Sequence, residues 1–406
     1  MNAGLARYSI FAAMLAMAGL PIYIHAPKFY VDSFGVGLAA LGGVLAALRL
    51  IDVVQDPALG WLAHRLRRWR AWSVAAGGAL MALSMVGLFG MAPMLPPLAW
   101  FALCLTGLFS GFSFLTITFY SQGVQRAVDL GTGGHVRLAA WRETGALLGV
   151  CAAAVAPTLL AGTGAPFGLF ALGFVGLVVV ALWAMRREWV GGPVAAGETG
   201  LGLVLGDGAA RRLLLIALIN ATPVAVTSTL FLFFVESRLQ APGAEGPLLL
   251  LFFLSAAVSA PVWGRLAARF GEKAALLAGM VLSIVSFGFA ALLGAGDTAA
   301  FAVICFASGV ALGADMTLLP AIFAARLARI APNPEQGFGL WSFVTKVTLA
   351  VAAVVLLPLL DLSGFQPGLQ NTDDALFTLT ALYAGVPCVL KLGALALLAF
   401  TRIERG

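Results

Sequence analysis

The stretch Arg49-Leu-Ile-Asp52-Val-Val-Gln55-Asp56-Pro57-Ala-Leu-Gly60-Trp61-Leu62-Ala63-His64-Arg65 decides the fold, because its second half occurs twice. The pattern Pro57-x-x-Gly60-x-Leu62-Ala63-x-Arg65 returns half a chain length later as Pro261-x-x-Gly264-x-Leu266-Ala267-x-Arg269. Each copy closes an apolar run and opens a tight basic loop, and small residues at such a helix end let backbones approach closely. A repeat at half the length predicts two halves built alike.

Working outward, the composition says what the halves are made of. Hydrophobic residues are 61% of the 406-residue chain and charged residues 10%, with a mean hydropathy of +1.00. A soluble domain carries about 25% charged residues, so most of this surface must face lipid. At about 20 apolar residues per span, twelve spans nearly exhaust the length. They are read at 5–27, 36–63, 72–92, 97–122, 138–161, 166–185, 212–235, 246–268, 273–294, 298–325, 337–360 and 376–400. The break between the first two is placed between Pro27-Lys28 and Asp32-Ser33. No cleavage pattern follows the first apolar run, which is expected to remain as a span. The expected fold is an all-α membrane protein, with one six-helix bundle over 1–185, a Gly-rich cytoplasmic linker over 186–211 and a second bundle over 212–406. Parallel halves of this kind mark the major facilitator architecture.

Charge placement sets the orientation. With the N-terminus cytoplasmic, the even-to-odd loops and both termini collect nearly all the basic loop residues, including Arg65, Arg67, Arg68, Arg70, Arg126, Arg137, Arg186, Arg187, Arg265, Arg269, Arg326 and Arg329. The opposite loops carry only Lys28 and Arg238. This positive-inside bias accounts for the sequence pI of about 9.5 and removes the reason to invoke nucleic acid. It also predicts a multi-pass protein of a bacterial-type cytoplasmic (inner) membrane with both termini cytoplasmic. The four cysteines, Cys104, Cys151, Cys305 and Cys388, lie in apolar runs without metal-ligand spacing and read as small hydrophobes. No GxxxxGK[ST] loop is present, which argues against ATP-driven transport within this chain. Nor does a nucleophile–base constellation suggest an intramembrane enzyme.

Ionisable residues within spans are Arg49, Asp52, Asp56, Arg142, Glu143, Asp315, Lys346 and Lys391. An uncompensated charge at mid-bilayer costs at least about 2.5–3.5 kcal/mol, so such groups face a wet cavity or one another. Arg49, Asp52 and Asp56 share one helix face, with Gln55 adjacent. Two carboxylates and an amide offer the hard oxygen ligands of a small cation, and close carboxylates equally suit a proton. The bland alternative has Arg49 neutralising Asp52 and Asp56 capping a turn. The second-half copy favours the site, because Ala256 and Ala260 replace the two acids. Arg142 and Glu143 read as cavity groups or a local gating salt bridge. Lys391 reads as snorkelling to the cytoplasmic face, and Asp315 as a partner of Lys346 or Lys391. Asn220 lines a cavity or bonds helix to helix.

The Asp52–Asp56–Pro57 block resembles the glycoside–pentoside–hexuronide:cation symporter family, the melibiose-permease group of the major facilitators. His135-Val-Arg137-Leu-Ala-Ala-Trp-Arg142, followed by Ala146-Leu-Leu-Gly149, resembles its fifth helix. Gly337-Phe-Gly-Leu-Trp341-Ser-Phe-Val-Thr-Lys346 is similar to its eleventh, and Leu362-Ser-Gly-Phe365-Gln-Pro367 to the loop beyond. The resemblance implies a coupling-cation site at Asp52, Asp56 and Gln55 (Gln55 standing where an Asn is usual), with Arg49 as charge partner. It ties Arg142 and Lys346 to the substrate cavity, for which Thr118, Tyr120, Asn220 and Trp341 are further candidates and Glu143 and Asp315 additional ones. It implies no cofactor and no metal beyond Na+ at Asp52 and Asp56, the coupling ion being Na+ or H+.

The sequence also departs from the family. The first-helix sugar acid has no counterpart in Leu15-Ala16-Met17-Ala18, the fourth-helix sugar acid is replaced near Thr118, and the nearby Thr of the ion site falls at Leu115. The two-Asp stretch after helix ten is here Ala325-Arg326-Leu327-Ala328-Arg329. The expectation is therefore a symporter, acting as a monomer in the lipid bilayer, whose small-molecule substrate is polar or acidic, an amphipathic one included. A proton-coupled exporter of amphipathic compounds and a non-transporting receptor or assembly factor are the alternatives.

Overall fold

The computed structural model describes residues 2–189, 201–330, 334–366 and 369–401; side chains such as those of Arg49 and Lys28 lie outside what it describes. Two compact units emerge, Met1–Leu203 with Leu327–Phe343, and Val204–Arg326 with Val344–Gly406.

The first unit holds α1 (Asn2–Met17), α2 (Leu20–Phe34), α3 (Leu38–Arg65), α4 (Arg70–Phe89), α5 (Pro97–Asp129), α6 (Gly134–Leu159) and α7 (Pro166–Met185). The short α8 (Leu201–Gly206) leads into the second unit, which holds α9 (Gly208–Phe233), α10 (Glu245–Phe270), α11 (Glu272–Ala290), α12 (Thr298–Ile330), most of α13 (Glu335–Leu362), α14 (Asp373–Thr380) and α15 (Val386–Phe400). Among the described residues, ten helical stretches are long and apolar enough to cross a membrane. One of them, Val54–Phe89, contains the 3-10 turn Leu66–Trp69 and divides there into α3 and α4. With that division and the first crossing, α1 plus α2, there are twelve crossings. Large apolar side chains such as Val54, Leu83, Leu292 and Val354 lie open on the outside, as a lipid-facing surface requires.

The first crossing differs from the expectation. It is broken at Gly19, between α1 and α2, while the helix runs on through Pro27 to Phe34. The chain then turns at Gly35, whose φ of 65° is left-handed and therefore suited to glycine. Gly35 N–H donates to the Val31 carbonyl, the single bond of a left-handed helix cap, and Val36 N–H donates to the Tyr30 carbonyl beyond it. The break thus falls at Gly35–Gly37 and not at Pro27–Ser33: an interior proline such as Pro27 is tolerated in a membrane helix, whereas a left-handed residue ends one.

Close helix contact organises the first unit. A Cβ on Gly145 would stand 2.2 Å from the Ser9 carbonyl oxygen, and one on Gly149 2.4 Å from that of Ala13. Gly145-x-x-x-Gly149 is therefore a small-residue seam on which α1 lies backbone to backbone, gaining dispersion contact where lipid supplies no hydrophobic drive. Ser9 Oγ donates to the Trp141 carbonyl across the same seam at 2.6 Å. At the far end of the unit, Phe29, Tyr30, Phe34, Phe89, Phe101 and Phe167 form an aromatic cluster.

The second unit packs α9 on α15 and α11 on α15, around a core that includes Leu230, Phe234, Phe301 and Tyr383. Two helical stretches loosen into π geometry, Phe234–Arg238 after α9 and Ala381–Gly385 between α14 and α15. Phe234 and Tyr383 stack across them with centroids 4.2 Å apart. Asp207 caps α9, accepting from Ala210 N–H at 2.7 Å. Residues 190–200 of the expected linker, and Pro367, lie outside the described residues.

Candidate functional site

Helix α3 presents Asp52 and Gln55 toward α5. Gln55 Nε2 donates to Asp52 Oδ1 at 2.9 Å, and Ser113 Oγ donates to the same oxygen at 2.9 Å. Ser110 Oγ donates to Gln55 Oε1 at 2.9 Å. The amide is thus held between a hydroxyl donor and a carboxylate acceptor, and the carboxylate between two donors. Asp52 and Gln55 are half-buried, and Asp56, one turn further along, is fully buried at 0% exposure. Four side chains on two helices therefore bring carboxylate, amide and hydroxyl oxygens together, the donor set that suits a hard monovalent cation. Among the described residues, no group of three or more His, Cys, Asp or Glu side chains converges as a metal site.

Sequence reasoning missed Ser110 and Ser113. Their signal was available: they lie three residues apart in Ser110-Gly-Phe-Ser113, hence on one side of α5. The family's Thr position falls instead at Leu115. Leu115 faces α4, where a Cβ on Gly77 would meet its Cδ2 at 3.0 Å. Two residues of offset turn a helical side chain by more than half a circle, so Leu115 and Ser113 serve different neighbours.

A second cluster joins α5 and α6. Arg142 Nε donates to Glu143 Oε1 at 2.7 Å, and Tyr120 Oη donates to the same oxygen at 3.0 Å. The Arg142 guanidinium carbon lies 3.6 Å from the centre of the Tyr120 ring, a cation–π contact. Arg142 Nη2 is buried without a hydrogen-bond partner among the described residues. Phe338 of α13 packs edge-on against Tyr120 with centroids 5.4 Å apart, and Trp341, one turn on, is buried. Thr118 is also buried, but its hydroxyl donates to the Phe114 carbonyl at 2.8 Å, so its hydrogen is committed to its own helix.

A third cluster was not foreseen. Arg70 and Arg67, expected as loop charges, are buried beside Glu335 at the start of α13. Arg70 ion-pairs with Glu335 and also donates to Gln122 Oε1 at 2.6 Å, and Arg67 Nε stands 4.0 Å from Glu335. Gly60, from the repeat, faces the same segment: a Cβ there would stand 3.1 Å from the Glu335 carbonyl oxygen.

In the second unit, Lys391 is buried and ion-pairs with Asp315. Snorkelling is thereby corrected: Lys391 of α15 is buried against the Asp315 carboxylate of α12, and a paired charge is sheltered from lipid. Asn220 on α9 is buried. Lys346 is half-buried on α13. Outside the spans, the Arg326 guanidinium bonded to Asp207, with Nε donating to Oδ1 at 3.0 Å and Nη2 to Oδ2 at 2.5 Å, holds that carboxyl below its ordinary range.

Two solved structures are similar to this chain. A bacterial homologue of the iron transporter ferroportin, in the outward-facing state with soaked iron, aligns with a TM-score of 0.70 at 16% identity over 97% of this chain and 98% of that one. A structure of a bacterial homologue of ferroportin, also outward-facing, aligns with a TM-score of 0.67 at 16% identity over the same shares. At that identity the likeness is one of fold. Comparison with curated proteins finds no match. A family model described as MFS/sugar transport protein matches residues 8–405. With twelve crossings, a shared fold and a family match over nearly its whole length, the chain belongs to the MFS/sugar transport protein family, a group compatible with the melibiose-permease likeness of its Asp52–Asp56 block, and it is a multi-pass membrane transporter of a small molecule and not an enzyme.

Proposed function

We propose that the protein is a secondary active transporter in which binding of Na+ or H+ at Asp52, Gln55 and Asp56 drives symport of a small polar or acidic solute by alternating access. One observation carries the reading: α3 and α5 of the first unit assemble oxygen ligands around Asp52, while the repeat places Ala256 and Ala260 at the matching positions of α10. An architectural need would recur in both copies; a coupling ion needs one. The buried Arg142, with one nitrogen open to a further acceptor, supports a cargo carrying an acceptor or acidic group. The acidic partner Glu143 and the Tyr120 ring keep that cation in place when cargo is absent.

The test has two stages. Purified protein is melted in sodium, potassium and choline chloride across a range of pH. A ligand that binds only the folded state raises stability by about 2.7 kcal/mol at one hundred times its Kd. Stabilisation by Na+ or by acidification is expected in wild type and lost in Asp52→Asn and Asp56→Asn. In Ser113→Ala the apparent affinity falls by about fivefold, as for one lost hydrogen bond of about 1 kcal/mol. Proteoliposomes with imposed sodium or proton gradients then test uptake of candidate sugars and organic acids. Uphill movement of a substrate unchanged in both Asn variants would remove the coupling site. Uphill efflux driven by an opposing proton gradient would favour an exporter.

A further inference from the structure

The surface of the first unit carries a feature that neither the ion site nor the cargo cluster uses. Helices α4 and α7 run antiparallel: Phe89, ending α4, stacks on Phe167, opening α7, with centroids 5.3 Å apart. Midway, Gly78 faces Leu182 and Val178, and a Cβ on Gly78 would stand 3.0 Å from Leu182 Cδ1. The start of α4 therefore lies beside the end of α7. With Gly78 set between Val178 and Leu182, a rise of about 1.5 Å per residue brings Ala75 to the height of Trp183 and, about one turn lower, Trp72 to that of Arg186.

Their directions follow from the same contact. At about 100° per residue, Ala75 and Arg186 turn to one flank of the pair, because the antiparallel run reverses the sense of rotation. Trp72 and Trp183 lie farther round on that flank. The exposures agree: Trp72 is 75% and Trp183 65% exposed, and Ala71, Ala75, Arg186 and Arg187 are exposed as well. Arg186 stacks over Trp183 with its guanidinium carbon 4.5 Å from the ring centre. The groove between the two helices on this flank is thus floored by Ala71 and Ala75, bordered by two indoles and met by the Arg186 guanidinium, with Arg187 exposed next in the chain.

We infer that this groove binds the headgroup of an anionic phospholipid. Two tryptophans left open where a spanning segment ends suit the glycerol and carbonyl layer of a bilayer, because an indole is apolar in body with a polar tip. Arginine matches a phosphate with its planar fork. The alanine floor leaves room for the headgroup, while stacking on Trp183 holds Arg186 in a fixed direction. Placement in the cytoplasmic leaflet rests on the positive-inside orientation; that leaflet's anionic lipids attract basic juxtamembrane groups.

The experiment is lipid retention on full-length protein in detergent, read by native mass spectrometry after exchange into dioleoyl phosphatidylglycerol or phosphatidylcholine. Wild type is expected to retain phosphatidylglycerol at least threefold over phosphatidylcholine. The double variant Arg186→Gln/Arg187→Gln should lose that preference. A control, Arg265→Gln/Arg269→Gln on α10, should keep it. An unchanged preference in the first variant, or an equal loss in the control, overturns the site. Displacement of the lipid by soluble glycerol phosphate also overturns it, in favour of a free phosphate ligand. Melting in sodium chloride is run on the same samples, so the lipid site and the coupling-ion reading can each fail without the other.

Discussion

Arg142 and Glu143 are neighbours in sequence, yet each needs the other inside the membrane. Their pair is buried, shares one carboxylate oxygen with Tyr120 and lies over that ring. Removing one charge of a buried pair leaves the other uncompensated, at about 3–5 kcal/mol. Arg142→Gln is thus expected to lower the melting temperature sharply, and the double variant Arg142→Gln/Glu143→Gln to recover most of it. Transport should stay lost in both, because neither offers a guanidinium to the cargo. Recovery of uptake along with stability in the double variant would reduce the pair to a packing device.

At the level of elements, the α1–α6 seam and the α9 cap invite tests of different kinds. Gly149→Val places a branched side chain where the Ala13 carbonyl already stands. Overpacking of that sort costs about 1–3 kcal/mol or more, and the expected outcome is a lower detergent melting temperature; an unchanged one would mean that α1 can move off the seam freely. Asp207 joins α9 to Arg326 of α12 and caps its helix. Its folded pKa lies below the ordinary 3.8, chiefly because Arg326 bonds the charged form, with Ala210 N–H assisting. A depressed carboxyl contributes stability that is fully present above its unfolded pKa and is lost as pH falls through the folded value. Wild type should therefore melt higher than Asp207→Asn at neutral pH, by an amount reflecting about 0.5–1 kcal/mol for a part-exposed pair. The gap should close as pH drops below 3.8. A gap that persists in acid would assign the effect to packing.

For the whole molecule, the halves repeat in architecture and differ in chemistry. Both carry the proline–glycine pattern at the end of their second crossing, but the paired acids occur in the first alone. The first unit also takes in Leu327–Phe343, so that Glu335 meets Arg70 across most of the sequence. The bias of basic loops predicts both termini on the cytoplasmic side. A fluorescent reporter that matures only in the cytoplasm should glow at either end, and an alkaline phosphatase fused after Arg238 should be active outside. The reverse pattern would invert the membrane orientation and move the proposed lipid groove to the other leaflet.

Span number, the duplicated plan and the acids of α3 were legible in the sequence by itself, because each depends on local quantities: apolar run length, the identity of residues at a fixed spacing, and the cost of charge in lipid. The turn at Gly35 was not, since Pro27 is the louder local signal and only the folded backbone shows which residue takes the left-handed conformation. Nor were the hydroxyls of Ser110 and Ser113, the Lys391–Asp315 pair or the burial of Arg70 against Glu335. These join residues on different helices, and which faces meet depends on helix packing and register, which a single strand of sequence does not carry. The sequence determined that acids must be sheltered in the membrane; the tertiary structure decided which groups shelter them.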